Sequence, residues 1–226
     1  ESILNTVLSI IEYRKKVDFD LDYVVINDGS VDRTKEILDS HDLNAVHLVM
    51  NLGIGGAVQT GYKYALEKGY DIAIQYDGDG QHDIESLPCL IEPLLSGVAD
   101  FTVGSRFLED SNSEFQSSTT RQVGIRILSA LIFMTSKIRI KDVTSGYRAA
   151  NKKVISQFVG RYPSQYPEPE SYMHLFAKNI RVKEVGVRMF ERETGTSSIN
   201  LFKGISYMIS VSLAILFSAI MGGKRS

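Results

Sequence analysis

Tyr70-Asp71-Ile72-Ala73-Ile74-Gln75-Tyr76-Asp77-Gly78-Asp79-Gly80-Gln81-His82 joins an apolar run to an acidic run spaced by glycines. The first half reads as a doubly covered strand, the second as the loop that leaves it. Upstream the pattern recurs, with Tyr23-Val24-Val25-Ile26 running into Asn27-Asp28-Gly29-Ser30. Between and beyond these, helical periodicity marks Ile3 to Ile11, the stretch around Ile37 and Leu38, Gly55 to Lys68, Ile84 to Leu95 and Ile125 to Ile132. Further strands are expected at Ala45 to Met50, Ala99 to Val103 and Arg181 to Phe190. Strands alternating with helices predict an α/β fold: a mostly parallel, twisted sheet with helices on both faces.

In such a sheet ligands bind beyond the carboxyl ends of the strands, and here those ends are acidic. Along an extended segment residues i and i+2 share a face, so Asp77 and Asp79 converge on one cation, and Gln81 continues the parity. A sparse set of hard oxygen donors suits Mg²⁺ or Mn²⁺. The same Asp-Gly-Asp-Gly run also suits a plain tight turn. Two acidic strand ends on one sheet edge repel each other unless a cation or donors compensate, which favours the site.

The 226 residues are 43% hydrophobic and 23% charged, which excludes a disordered tail, a fibrous repeat and a multi-span membrane protein. A net charge of −2 without a basic block argues against nucleic acid as the main partner. Cys89 is the lone cysteine, expected as a small buried hydrophobe in a reducing compartment. Glu1, without an initiator Met or a signal pattern, reads as the start of a fragment. Gly53-Ile54-Gly55-Gly56-Ala57 lacks the closing glycine of a dinucleotide fingerprint, and the P-loop spacing of Gly56 to Gly61 meets Tyr62 instead of Lys. The histidines lack zinc-ligand spacing, and His82 reads as a loop or cap residue. Glu109 to Thr120 is expected to be a surface loop, either mobile over a site or passive.

Five motifs then stand in order: Asn27-Asp28-Gly29-Ser30-x-Asp32, Asn51-x-Gly53-x-Gly55-Gly56-Ala57, Asp77-x-Asp79-x-Gln81-His82, Gly104-Ser105-Arg106 and Asp142-x-x-Ser145-Gly146-Tyr147-Arg148. Together they resemble family 2 glycosyltransferases. With Arg192-x-x-Gly195-x-Ser197, the chain is similar to the dolichol-phosphate mannosyltransferase branch over about residues 1–200. The resemblance implies a GT-A fold and a metal-dependent, inverting transfer of a sugar from a UDP- or GDP-linked donor to a polyprenyl phosphate. It implies a divalent cation on Asp77, Asp79 and Gln81, with Asp28, Gly53, Gly55, Ser145 and Arg192 toward substrate. Arg106, Arg121 and Arg148 would face phosphates, with Asp79, Arg106 and Arg148 the catalytic set. The family's first strand, with its Pro-x-Tyr-Asn-Glu motif, would end about where this chain begins. Members that act on hydroxyl acceptors carry a Glu-Asp pair supplying a base, where this chain reads Glu168-Pro169-Glu170. The alternative is therefore a relative that extends a saccharide hydroxyl in cell-surface polysaccharide synthesis. A third reading, a catalytically dead nucleotide-sugar-binding subunit, is disfavoured because both carboxylates are present.

Residues 201–226 are set apart as an apolar helix beyond the domain of residues 1–200. Gly204 to Gly223 is a run of 20 uncharged residues flanked by Lys203 and by Lys224-Arg225. Ser206, Ser210, Ser212 and Ser218 spread around the axis, so the helix is expected at the membrane interface or against another subunit rather than as a span, the alternative being a buried C-terminal helix of a soluble enzyme. The enzyme is thus expected to be peripheral on the cytoplasmic face of a membrane.

Overall fold

The computed structural model describes residues 2–108, 111, 119–190 and 208–217. The elements in chain order are α1 (Ser2–Arg14), β1 (Val25–Asn27), α2 (Thr34–Ser40), β2 (Ala45–His47), α3 (Gly53–Lys68), β3 (Ile72–Gln75), α4 (Leu87–Leu95) and β4 (Phe101–Ser105). They continue with α5 (Thr119–Ser136), β5 (Arg148–Asn151), α6 (Lys152–Gly160), α7 (Pro167–Ala177) and β6 (Val182–Gly186). The expected strands and helices are found, and β5, α6 and α7 are additional. The expected loop Glu109 to Thr120 falls almost wholly outside the described residues.

Strands β1 and β2 pair in parallel, and a second sheet has the order β3-β5-β4-β6. In it β4 and β6 are parallel, as the alternation predicts, while β5 runs antiparallel to both its neighbours. Arg148-Ala149-Ala150-Asn151 has neither a β-branched nor an aromatic residue, so local propensity gives no strand signal, and pairing on both edges creates it. Its two alanines serve opposite faces. Ala150 packs with Phe101, Val103 and Phe158, whereas Ala149 packs with Leu90, Tyr147 and Val187. On α4 the buried positions are Leu87, Leu90, Ile91, Pro93 and Leu94; Cys89 lies on the other side and is exposed, contrary to expectation.

Among the described residues β1 pairs only with β2 and β3 only with β5. The remaining edges of β1 and β3 line one cavity of about 1430 Å³, with α1 and α3 also contributing walls. Helix α3 contacts both strands and so spans the two sheets.

The apolar C-terminal segment is described over residues 208–217, which are helical. Its inner face is part of the main core, because Val211 and Ile215 are fully buried in the cluster that holds Ile125, Leu128 and Ile132. The outer face leaves Ile209, Leu213, Leu216 and Phe217 exposed.

Arg148 corrects another expectation. Instead of standing in a loop toward a phosphate, it opens β5 with no exposed surface. Its Nε donates to the Ser145 carbonyl (2.6 Å), Nη1 to Ser171 Oγ (2.8 Å) and Nη2 to the Glu168 carbonyl (3.0 Å). The guanidinium also lies over the Tyr172 ring at 5.0 Å. It is a core cross-link between β5, the 143–145 turn and the start of α7. Removing such donors strands buried acceptors, each costing roughly 1–3 kcal/mol. Arg148→Met is therefore expected to lower the thermal midpoint by on the order of 10 °C, from a loss of about 3–5 kcal/mol. A scanning-calorimetry midpoint equal to the parent's would return Arg148 to a ligand-facing role.

Candidate active site

The acidic loop begins where β3 ends, and what shapes it is packing from beneath. His82, only 5% exposed, stacks on Tyr147 with ring centroids 4.6 Å apart and planes 8° apart. Tyr76 meets His82 edge-on at 5.2 Å, and its hydroxyl donates to the His82 carbonyl. The Asp77 N–H donates to His82 Nδ1 (3.1 Å), and the Gln81 N–H to Asp79 Oδ1 (3.1 Å). Phe190 N–H donates to the Gln81 carbonyl (2.8 Å), while Gln81 Nε2 reaches the Phe190 carbonyl at 3.5 Å. The loop is thus pinned at its far end to the strand-like segment after β6, and at its first residue to His82.

Asp77, Asp79 and Glu168 line the cavity. Burial, with the Asp77 charge adding to it, pushes the Glu168 carboxyl above the usual carboxylate range, against the pull of Arg148. Glu168 and Glu170 lie in the first turn of α7, which starts on Pro167, as a helix-start reading of both glutamates predicts. Gly146 faces the acidic pair: a Cβ there would fall 2.7 Å from Asp77 Oδ2.

The other expected site residues have different surroundings. Arg106 does not stand open to a phosphate; its Nε and Nη2 each donate to Asp142 at 2.7 Å in a two-pronged, buried ion pair. Ser145 is 2% exposed, and its hydroxyl accepts from the Tyr147 N–H. Neither serine nor arginine is thereby presented to the cavity. Asp28 Oδ1 accepts from the Leu52 N–H (2.7 Å), fastening the end of β1 to the start of α3. Gly53 has φ +77° at that start, where a side chain is strained, and Gly55 is approached by Pro163 and by Ser164 Cα at 2.6 Å. Both glycines thus have a backbone reason. Arg192 and the side chain of Arg121 lie outside the described residues. Asp142, quoted from the sequence only as a motif member, and His82, read there as a loop or cap residue, hold the site's frame. Their signal was adjacency to the motifs, since each stands inside one.

The layered α/β architecture carries an acidic pair at the end of an edge strand, over a cavity, an arrangement that fits a glycosyltransferase. A family model, Glycosyl transferase family 2, matches residues 1–158, and the chain belongs to this family. An uncharacterized protein of Methanocaldococcus jannaschii is 28% identical over 197 residues, covering 86% of this chain and 81% of that one. The UDP-N-acetylglucosamine–dolichyl-phosphate N-acetylglucosaminyltransferase of Methanococcus voltae is 26% identical over 221 residues, covering 89% and 85%. The undecaprenyl-phosphate mannosyltransferase of Micrococcus luteus is 31% identical over 133 residues, covering 57% and 54%. Among solved structures, glucosyl-3-phosphoglycerate synthase from Mycobacterium tuberculosis, crystallised with Mn²⁺, UDP and phosphoglyceric acid, superposes with a TM-score of 0.65. It does so at 16% identity, covering 98% of this chain and 73% of that one, and so bears out the GT-A fold. The protein is a hexosyltransferase enzyme.

The Gly146 contact makes a specific forecast. In Gly146→Ala the atom in the way is the tip of a movable side chain, so the Asp77 carboxylate swings aside and the backbone stays. Sugar transfer, read as release of nucleoside diphosphate, is expected to fall about 10–100-fold, because misplacement of about 1 Å has that kind of cost. The melting midpoint is expected to stay within about 3 °C. Parent-level turnover would show that the Asp77 carboxylate needs no fixed position.

Proposed function

We propose that the enzyme transfers a sugar from a UDP- or GDP-linked donor to the phosphate of a polyprenyl phosphate, in one displacement that inverts the anomeric centre. The observation that carries this reading is the Asp77 and Asp79 pair, leaving β3 over the cavity that Glu168 also lines. The named lipid-phosphate activities of the Methanococcus voltae and Micrococcus luteus relatives support the acceptor class.

Asp77 and Asp79 fit a divalent cation. They are hard oxygen donors, and a third carboxyl nearby adds negative charge that a cation relieves. Among the described residues no group of three or more His, Cys, Asp or Glu is placed to hold a metal ion; with two carboxylates as ligands, substrate oxygens and water would complete the shell of Mg²⁺ or Mn²⁺. Gln81 is the further candidate ligand. When bound, the cation supplies charge stabilisation to the departing diphosphate. An acceptor phosphate oxygen is already anionic at pH 7: it attacks the anomeric carbon, the bond to the diphosphate breaks, and the electron pair leaves with the nucleotide. No proton has to be removed, so the chain's task is to orient both substrates and hold the diphosphate.

A hydroxyl acceptor would need a base, and the raised carboxyl of Glu168 on the same cavity favours that second reading. One experiment separates them: polyprenyl phosphate and oligosaccharide acceptors offered side by side with Mn²⁺ and a panel of nucleotide sugars. Asp79→Ala is expected to lose at least about 100-fold in kcat with any acceptor. Glu168→Gln is expected to keep kcat within about tenfold on the lipid phosphate, since loss of a general base costs ~10²–10⁴-fold. Transfer only to the saccharide, lost in Glu168→Gln, would sink the first reading.

We also propose contact with the membrane surface through the outer face of residues 208–217 and the neighbouring face of α5. Gly124 of α5 lies against Met208, so the two helices adjoin. Val123, Ile127 and Met134 are exposed on α5, which has Arg126 and no acidic residue. Among the described residues no helix is long and apolar enough to cross a membrane; the mode proposed is interfacial, on the exposed apolar face beside Arg126. Deleting everything after Asn200 would uncover the core at Val211 and Ile215, and surface substitutions are the cleaner probe. Leu213→Glu with Phe217→Glu is expected to abolish flotation with phosphatidylglycerol vesicles while leaving the melting midpoint near the parent's. Equal flotation of both forms would refute the surface.

A further inference from the structure

The imidazole beneath the acidic loop is bonded in a way that fixes which nitrogen carries its proton. A backbone N–H only donates, so His82 Nδ1, which receives the Asp77 N–H at 3.1 Å, is the acceptor. In the neutral ring the proton is then on Nε2. Nε2 lies 3.7 Å from Asp77 Oδ2, longer than a hydrogen bond but near enough for the N–H dipole to attract the carboxylate. The ring cannot turn to offer its other edge, because it is stacked on Tyr147, edged by Tyr76 and 5% exposed. One side chain therefore grips Asp77 twice, at the backbone and at the carboxylate.

Gly146 closes the opposite side, its missing Cβ leaving the space that the Asp77 carboxylate fills. A carboxylate set between the Nε2 side of the ring and a backbone wall is limited in orientation, with its side chain still 40% exposed. We propose that His82 is a positioning residue: it holds the Asp77 carboxylate, through the fixed Nε2–H, in the orientation that receives the divalent cation of the donor complex. This rests on the reading of Asp77 and Asp79 as cation ligands. Partners of this outer kind orient metal ligands and typically change metal affinity 10–100-fold when removed.

The test measures Mn²⁺ binding directly, by the electron paramagnetic resonance signal of free Mn²⁺, with the full chain and without turnover. His82→Phe keeps an aromatic ring against Tyr147 and removes both nitrogens; His82→Asn keeps an acceptor near the Nδ1 position and removes the Nε2–H. Both are expected to weaken Mn²⁺ binding about 10–100-fold. UDP binding without metal is expected to be unchanged, which a loss of folded structure would not spare. If either folded variant binds Mn²⁺ within twofold of the parent, the positioning role is overturned. Asp77→Ala runs alongside: Mn²⁺ affinity unchanged there overturns the cation reading itself, whereas loss in Asp77→Ala with none in the His82 variants overturns only the role of His82. Should both His82 variants fail to fold, ¹⁵N-histidine spectra of the parent decide. A protonated Nε2 whose resonance shifts on adding Mg²⁺ supports the proposal, and a protonated Nδ1 or an unmoved Nε2 overturns it.

Discussion

A guanidinium with no exposed surface sits where β5, the turn before it and α7 meet, and the arrangement of the site follows from that placement. Arg148 binds carbonyls contributed by Val143 and Ser145, in the irregular turn before β5, and by Glu168, in the first turn of α7. A cation has to be bonded on every donor to be tolerated in a dry core, and so each bond also dictates where a loop must run. The turn it fixes carries Gly146 to the Asp77 carboxylate and Tyr147 to the His82 ring. The helix it fixes carries Glu168 to the cavity. A second buried pair, Arg106 with Asp142, clamps the end of β4 to the start of the same turn. The two arginines act on opposite ends of one connection.

The acidic loop shows how a polar site is built on an apolar footing. Tyr76, His82 and Tyr147 form a cluster of rings whose polar atoms point to backbone groups: Tyr76 Oη to the His82 carbonyl, Tyr147 Oη to the Asp83 carbonyl at 3.2 Å. Burial lowers the tendency of His82 to take a proton and raises that of the tyrosines to keep theirs, so the cluster stays uncharged beneath the charged pair. A neutral base of this kind leaves the charge of the site to the carboxylates and to what they bind.

The sequence made the outer strands and the acidic edge legible because apolar runs ending in Asn-Asp-Gly or Asp-Gly-Asp are local signals. It hid β5 because alanines carry no strand propensity and the pairing that makes the strand comes from residues 72–75 and 101–103. It also misled on the arginines. A motif position says that Arg148 and Arg106 are needed, and cannot say whether the partner is a ligand or a protein carbonyl, since a guanidinium suits both. Cys89 was misread for a simpler reason: an apolar neighbourhood in sequence is not a buried face when the helix period places Leu87, Leu90 and Ile91 inward. The amphipathic division of residues 208–217 was likewise invisible, because both faces are apolar and only packing against α5 distinguishes them.

The interruption between β1 and β3 has a consequence for how the protein holds together. Within each sheet, strands share hydrogen-bonded ladders; between the sheets no such ladder passes among the described residues, and the joint is made by side chains of α3 lying across both. Ladder bonds are directional and all-or-none over a strand, whereas side-chain packing yields by degrees. Helix α3 packs on β1 and on β3, and so carries the position of one strand end to the other by contact of side chains. A change of side chain on the buried face of α3 is therefore felt at Asn27 and Asp28 and at Asp77 and Asp79 alike.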